Sequence, residues 1–272
     1  MSMLRCPVCG QELQADNRGA TCPLGHRFDR AREGYLNLLR SNKSGDSMGD
    51  PKSQARSRRD FLNQDYYAPL RDALVDIVRE QVSARSSQKP LALLDICCGE
   101  GYYTSAMGSV EGVDAYGFDL GKEMVRLAAK RGGATYFVAN MRAIPVADGS
   151  IDVATHLFAP FNEREFARVL KPGASLYTVI PGARHLWGLK EVLYDTPYVN
   201  DEKLPQTTEL ELVSTRKVAA QITLAAPADI EAVFQMTPYY YRTRREDRER
   251  LANLEQLQTP IEFLIAQYHR PM

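Results

Sequence analysis

LLDICCGEGYYT, residues 93–104, decides the fold. LALLDIC (91–97) is a short continuous apolar run, as a strand buried on both faces requires. Gly99 and Gly101 then frame a tight turn that lets backbone approach a ligand at the carboxyl end of that strand, ahead of a helix. Twenty residues after Gly99 stands Asp119, near the end of the next strand-like run, AYGFDL (115–120). A carboxylate there can accept hydrogen bonds from both hydroxyls of a ribose. A dinucleotide is the first rival as ligand, but its fingerprint needs a third glycine at position 104 for close helix–strand packing beside a pyrophosphate. The residue is Thr104, and bulky Tyr102 and Tyr103 occupy the turn. Asp95, just before the turn, suits a ligand with an ammonium group better than one with phosphates.

Outward from this point the chain alternates. ATYFVAN (134–140), DVATHLF (152–158) and ASLYTVI (174–180) have the same strand character, and KEMVRLAAKR (122–131) and EREFARVL (163–170) carry helical spacing between them. The alternation predicts a doubly wound parallel α/β sheet. Upstream, FLNQDYYAPLRDALVDIVREQV (61–82) predicts a helix interrupted near Pro69. Downstream, extended segments over 208–224, helices over 227–235 and 246–257, and a closing strand over 261–269 would complete the sheet with antiparallel strands.

The loop resembles motif I of the class I methyltransferases, an acidic residue followed by x-Gly-x-Gly-x-Gly, with Cys97 where glycine is usual. IPVADGSIDVATHLFAPF (144–161) and VLKPGASLYTVIPG (169–182) are similar to the stretches of that class leading into its fourth and fifth strands. The resemblance implies S-adenosylmethionine as cofactor, held by Asp95, Gly99, Glu100, Gly101 and Asp119, with Asn140 and Met141 at the adenine. Cys97 and Cys98 read as small buried residues.

The N-terminus carries a separate pattern. Cys6-Pro-Val-Cys9 is followed by twelve residues, then Cys22, three residues, then His26. Four such ligands in two close pairs match a closed, structural tetrahedral zinc site, one per chain. A segment of forty residues cannot bury enough apolar surface to fold alone, and a metal supplies the missing free energy. The polar stretch 41–59 reads as a linker or surface loop. The expected organisation is a zinc module over 1–40, a linker over 41–60 and a methyltransferase domain over 61–272.

Composition narrows function less. Of 272 residues, 44% are hydrophobic and 25% charged with zero net charge, so composition gives no support to wholesale nucleic-acid binding. Residues 1–60 nevertheless hold eleven Lys and Arg against seven Asp and Glu. Arg27, Arg30, Arg32, Arg40, Lys43, Arg56, Arg58 and Arg59 are candidates for phosphate contact, or a solvated face. No apolar run approaches a membrane span, and MSMLRCPVCG has no signal-like apolar core, which predicts a cytoplasmic protein with no membrane partner.

The zinc pattern, REGYLNLL (32–39), ARSRRDFLNQDYYAPLRDAL (55–74), the motif I loop, PGARHLWGLKEVLY (181–194) and QMTPYYYR (235–242) together closely resemble the RlmA family. That resemblance implies methylation of N1 of a guanine in a 23S ribosomal RNA hairpin, a zinc module that helps recognise the RNA, and a homodimer. It also implies cofactor contacts from Tyr67 and His185, which otherwise read as a core aromatic and a surface helix residue. No catalytic base is identified. Glu165 lies near the fourth strand, but Asn162-x-x-Glu165 matches a capping box, and Asp152 sits at that strand's start. Two other classes remain open: a small-molecule (quinone or metabolite) methyltransferase with a purely structural zinc, and a cofactor- or RNA-binding protein without catalysis.

Overall fold

A computed structural model describes residues 3–39, 52–241 and 243–272. The N-terminal segment forms β1 (Gln14–Ala15), β2 (Gly19–Thr21) and β3 (Arg27–Asp29), one antiparallel sheet in that order. Helices α1 (Lys52–Asn63) and α2 (Ala68–Ser83) follow. Pro69 lies in the first turn of α2, where a missing N–H leaves no hydrogen bond unmade, so the predicted break falls at 64–67. The chain is helical from Lys52, within the stretch 41–60 predicted as linker; residues 40–51 lie outside the described residues. α2 buries Leu70, Ala73, Leu74, Ile77 and Val78, a stripe at the spacing that faces a helix onto a sheet.

The main sheet is built from β5 (Leu91–Ile96), β6 (Val113–Asp119), β7 (Thr135–Val138), β8 (Ile151–Leu157), β9 (Leu170–Pro181), β10 (Glu211–Leu224) and β11 (Leu257–His269). Helices α3 (Tyr102–Gly108), α4 (Lys122–Arg131) and α5 (Glu163–Val169) connect its parallel strands, with α6 (Trp187–Leu193), α7 (Pro227–Gln235) and α8 (Arg245–Ala252) beyond. An eighth strand, β4 (Leu36–Asn37), comes from the N-terminal segment and pairs parallel to β7, Leu36 opposite Phe137. The order is β10-β11-β9-β8-β5-β6-β7-β4. All pairs are parallel except β9–β11 and β11–β10, so the C-terminal third closes the sheet with antiparallel strands as predicted.

Every residue of β5 is buried, and its side chains divide between two cores. Leu91 and Leu93 join α2, α3 and Val153 on one face, while Leu94 and Ile96 join Phe118, Phe137 and Phe166 on the other. The second core also takes Leu4, Leu36 and Leu38, so the N-terminal segment packs into the main domain. Arg5 N donates to Pro145 O at 2.9 Å, Ala147 N to Met3 O at 2.9 Å and Leu38 N to Val138 O at 2.9 Å. β6 and β7 lie to one side of β5, β8 and β9 to the other. The carboxyl ends of β5 and β8 therefore flank the switch point where such sheets hold ligands.

Candidate active site and metal centre

The turn after β5 needs left-handed backbone three times: φ is +58° at Cys97, +56° at Gly99 and +82° at Gly101. Cys97, where the motif has glycine, adopts the glycine-like conformation at a cost of about 1–2 kcal/mol. A Cβ at Gly101 would lie 2.8 Å from Ala128 Cβ on α4, so this glycine lets two helices meet. A Cβ at Gly99 would meet nothing within 4 Å. Its surroundings are open space, as a backbone that cradles a ligand requires.

Thr104 replaces the third glycine without loosening the packing. Its methyl would stand 3.0 Å from a Cβ at Gly117 of β6, so the close approach has moved to a glycine on the strand. The Thr104 hydroxyl donates to Asp95, which also accepts from Thr155 Oγ1 at 2.8 Å. Asp95 is 2% exposed. Burial pushes its pKa up to about 6 against those two hydrogen bonds, and the nearby Asp119 charge adds to the rise. Asp119 spans the mouth of the turn, accepting from Gly99 N at 3.1 Å and Gly121 N at 2.8 Å.

These residues wall a groove of about 540 Å³. Gly99, Asp119, Asn140, Met141, Arg58 and Phe158 are among its lining, which brings four of the expected cofactor residues together. A smaller inner cavity of about 40 Å³ adjoins it through Arg58, Cys97, Gly99, Leu157 and Phe158, and reaches Asp95, Glu100 and Tyr103. The buried Tyr103 hydroxyl has no hydrogen-bond partner among the described residues. Glu100 Oε2 accepts from Arg131 Nε at 2.5 Å, while its buried Oε1 has no hydrogen-bond partner among the described residues. Cys97 lines the groove, but burial and the charges of Asp119 and Asp95 push its thiol up to about 12. It stays protonated and is no nucleophile at neutral pH.

Tyr67 and His185 meet, but not in the groove wall. Tyr67 Oη lies 3.2 Å from His185 Nε2, in an aromatic cluster with Phe61 and Phe263. Glu262 N donates to His185 Nδ1 at 3.3 Å. A backbone N–H can only donate, so the neutral ring carries its proton on Nε2 and donates it to Tyr67. His185 is 8% exposed rather than the surface residue its helical surroundings predict, and burial lowers its pKa to about 4. Sequence reading missed Arg58 as a groove residue, having weighed it only for phosphate contact. It also overlooked His156, a buried imidazole held near pKa 4 by desolvation, 3.0 Å from Pro160 O.

The capping-box reading of Asn162 and Glu165 fails. Asn162 makes no cap hydrogen bond; its Nδ2 donates to Met141 O at 3.0 Å. Glu165 accepts from Ile144 N at 2.7 Å and pairs with Arg168 at 2.8 Å, a structural post outside the groove. Asp152 ties β8 to Ala92 N and Lys171, away from the turn.

The metal candidates converge. The donor atoms of Cys6, Cys9, Cys22 and His26 all lie within 4.8 Å of one another. Cys9 and Cys22 sulfurs are 3.6 Å apart, and His26 Nδ1 is 3.3 Å from Cys22 and 3.6 Å from Cys6. The edge of a zinc–thiolate tetrahedron is about 3.8 Å, so the set fits one ion. Each pair sits on a tight turn, Gly10 N donating to Cys6 O at 2.8 Å and Gly25 N to Cys22 O at 2.9 Å. Both glycines have positive φ. Among the basic residues, Arg27 pairs with Asp16 and Asp29, and Arg59 with Asp60. Arg32 and Arg56 are exposed; Arg40 and Lys43 lie outside the described residues. A cleft of about 920 Å³ between the zinc-bearing segment and the sheet includes Arg5, Val8, Leu38 and Ile144, and shares Asn140 and Arg142 with the groove.

Known proteins match both halves. A zinc-ribbon family model described as "RlmA, N-terminal" matches residues 4–44, and a methyltransferase-domain model matches 93–173. The chain is 34% identical over 193 residues to the 23S rRNA (guanine(748)-N(1))-methyltransferase of Streptomyces fradiae, covering 70% of this chain and 67% of that one. It is 36% identical over 200 residues, 67% of each chain, to a Micromonospora griseorubida protein whose name assigns it 23S rRNA guanine-N1 methylation. A solved structure from Anaeromyxobacter dehalogenans, named for a type II methyltransferase, shares the fold at a TM-score of 0.50 and 18% identity, over 72% of this chain and 95% of that one. A zinc ribbon and a methyltransferase sheet thus occur together in a chain whose identity to named relatives spans two thirds of its length, and the protein belongs to the RlmA family of 23S rRNA (guanine-N1)-methyltransferases.

Proposed function

We propose that this chain transfers a methyl group from S-adenosylmethionine to N1 of a guanine in a hairpin of 23S ribosomal RNA, with the zinc-bearing segment (1–40) contributing to RNA recognition. The observation that carries the reading is that the cleft beside the zinc ribbon and the groove at the switch point lie side by side, with Asn140 and Arg142 in the walls of both. A small metabolite needs only the groove. A folded RNA needs a second surface continuous with it, because phosphate and sugar contacts fix register while the target base enters.

The groove fits the cofactor chemically. The open face of Gly99 admits it, Asp119 can accept from the ribose hydroxyls, and Asn140 and Met141 stand at the adenine end. The cofactor's amino acid brings an ammonium and a carboxylate; Asp95 answers the first, and the orphaned Tyr103 hydroxyl with Arg58 the second. Tyr67 and His185 support this inner end from behind Phe263 in this reading, and Glu100 holds the turn through Arg131. When bound, the cofactor supplies a methyl group on a positively charged sulfur. The chain's own contribution is to position the acceptor in line with it and to exclude water.

No helix among the described residues is long and apolar enough to cross a membrane. A cytoplasmic location, expected from sequence, and a homodimer, implied by the family resemblance, belong to the same proposal; mass measurement in solution decides the second. The main test is incorporation of labelled methyl into 23S RNA, mapped by reverse transcription, since an N1 methyl blocks the pairing edge of guanine. A stop at one hairpin guanine is the expected result. Labelling of quinones or other small molecules with ribosomal RNA left untouched would replace this reading with the metabolite one.

A further inference from the structure

We propose that Phe158 is the platform on which the target guanine stacks in the groove, an assignment that rests on the guanine reading above. Phe158 follows β8 at its carboxyl end, beside the turn that cradles the cofactor, and lines both the groove and the inner cavity. Its φ is +55°, a conformation that favours glycine or asparagine and is rare for a bulky side chain. It is also 41% exposed, the one phenylalanine among the exposed large apolar side chains of the described residues. A phenylalanine required by the core would be buried, and a turn requiring positive φ would take glycine. The fold alone therefore accounts for neither the backbone nor the side chain.

The neighbours hold this conformation in place. Phe158 N donates to Val179 O at 3.2 Å, and His156 Nε2 lies 3.0 Å from Pro160 O, fixing the chain on either side. The ring rests against Phe263 with centroids 5.7 Å apart, which supports one side of it. Strained aromatic positions of this kind concentrate where a ligand uses them. A base extruded from an RNA helix loses its stacking neighbours, and an aromatic face at the site replaces them while fixing the plane in which N1 is presented.

The adenine of the cofactor is also a purine, and the test separates the two. In the full-length protein, Phe158→Gly fits the observed backbone and removes the ring; Phe158→Leu keeps bulk without an aromatic face; Phe158→Trp keeps the face. With wild type active on 23S RNA, the Gly and Leu variants are expected to lower kcat/KM for the hairpin by about 5- to 150-fold. Any loss of cofactor affinity by calorimetry should be several-fold smaller than the loss in kcat/KM, and the Trp variant should recover most of the activity. Unchanged kcat/KM in the Gly or Leu variant overturns the platform while leaving the guanine reading intact. A matching loss of cofactor affinity overturns it too, by giving the ring to the cofactor. Should the Gly variant fail to bind cofactor because it has not folded, the Leu and Trp pair carries the same comparison. Absence of guanine methylation by the wild type itself is the separate failure of the parent reading.

Discussion

At Gly99 and Gly101 one motif makes two different demands, and substitution separates them. Alanine at 101 would press into Ala128 from a positive-φ backbone, so Gly101→Ala should cost about 2–4 kcal/mol of stability, read as a lowered denaturation midpoint. Alanine at 99 meets no protein atom; Gly99→Ala should cost only about 1 kcal/mol of stability but weaken cofactor binding, by calorimetry, far more than Gly101→Ala does in folded protein. Asp119→Ala removes the acceptor of two backbone N–H groups together with the ribose partner, and a loss of about 1.5–3 kcal/mol in cofactor affinity is expected. Unchanged affinity removes Asp119 from the site. Titration adds a third outcome. His156 and His185 stay neutral in the folded protein down to about pH 4, whereas in the unfolded chain they take up protons near 6.5. Between those values the unfolded state binds more protons, so stability falls as pH falls, by about 3 kcal/mol per histidine. Asp95, raised to about 6 from 3.8, works in the opposite direction between pH 6 and 4, because its folded form binds the proton more tightly. Two groups outweigh one, so the melting temperature should drop from pH 7 to pH 4.5, and a flat profile contradicts the buried neutral imidazoles.

Among elements, β4 matters most and was the least legible. A two-residue strand has no periodicity, and REGYLNLL shows nothing that assigns Leu36 to the sheet rather than to the ribbon. The long elements were readable because each buries a stripe or a run large enough to mark the sequence: β5 is apolar throughout, and α4 was bounded to the residue. The switch point was legible for the same reason, from Gly99 to Asp119. Tyr67 and His185 carried a sequence signal only through family resemblance, because contact between residues 118 positions apart leaves no local pattern. The zinc ligands were legible as spacing, but their consequence changes with β4. Ribbon and sheet share a core, so Cys9→Ser or a chelator should cost the main domain stability as well as releasing the metal. Calorimetry should show one unfolding transition shifted down by several degrees, with guanine methylation lost. Two independent transitions, the larger unmoved, would mean the ribbon is a separate satellite.

Across the whole molecule, zero net charge conceals how the two ends of the sheet differ. At one end β10 is long and largely exposed, but it carries Glu211, Arg216 and Lys217, and its register shifts between Leu212 and Ser214. Charges and an irregular register discourage a stranger's strand from adding there. At the other end β7 reads Thr-Tyr-Phe-Val, uncharged and mostly buried, and the cover over its hydrogen-bonding groups is β4. That cover is attached to the ribbon that the metal folds. Zinc therefore guards an adhesive edge: a chain made without it would display β7 to other nascent chains and polymerise through it. Light scattering after chelation should rise with protein concentration, and readding zinc before association begins should abolish the rise.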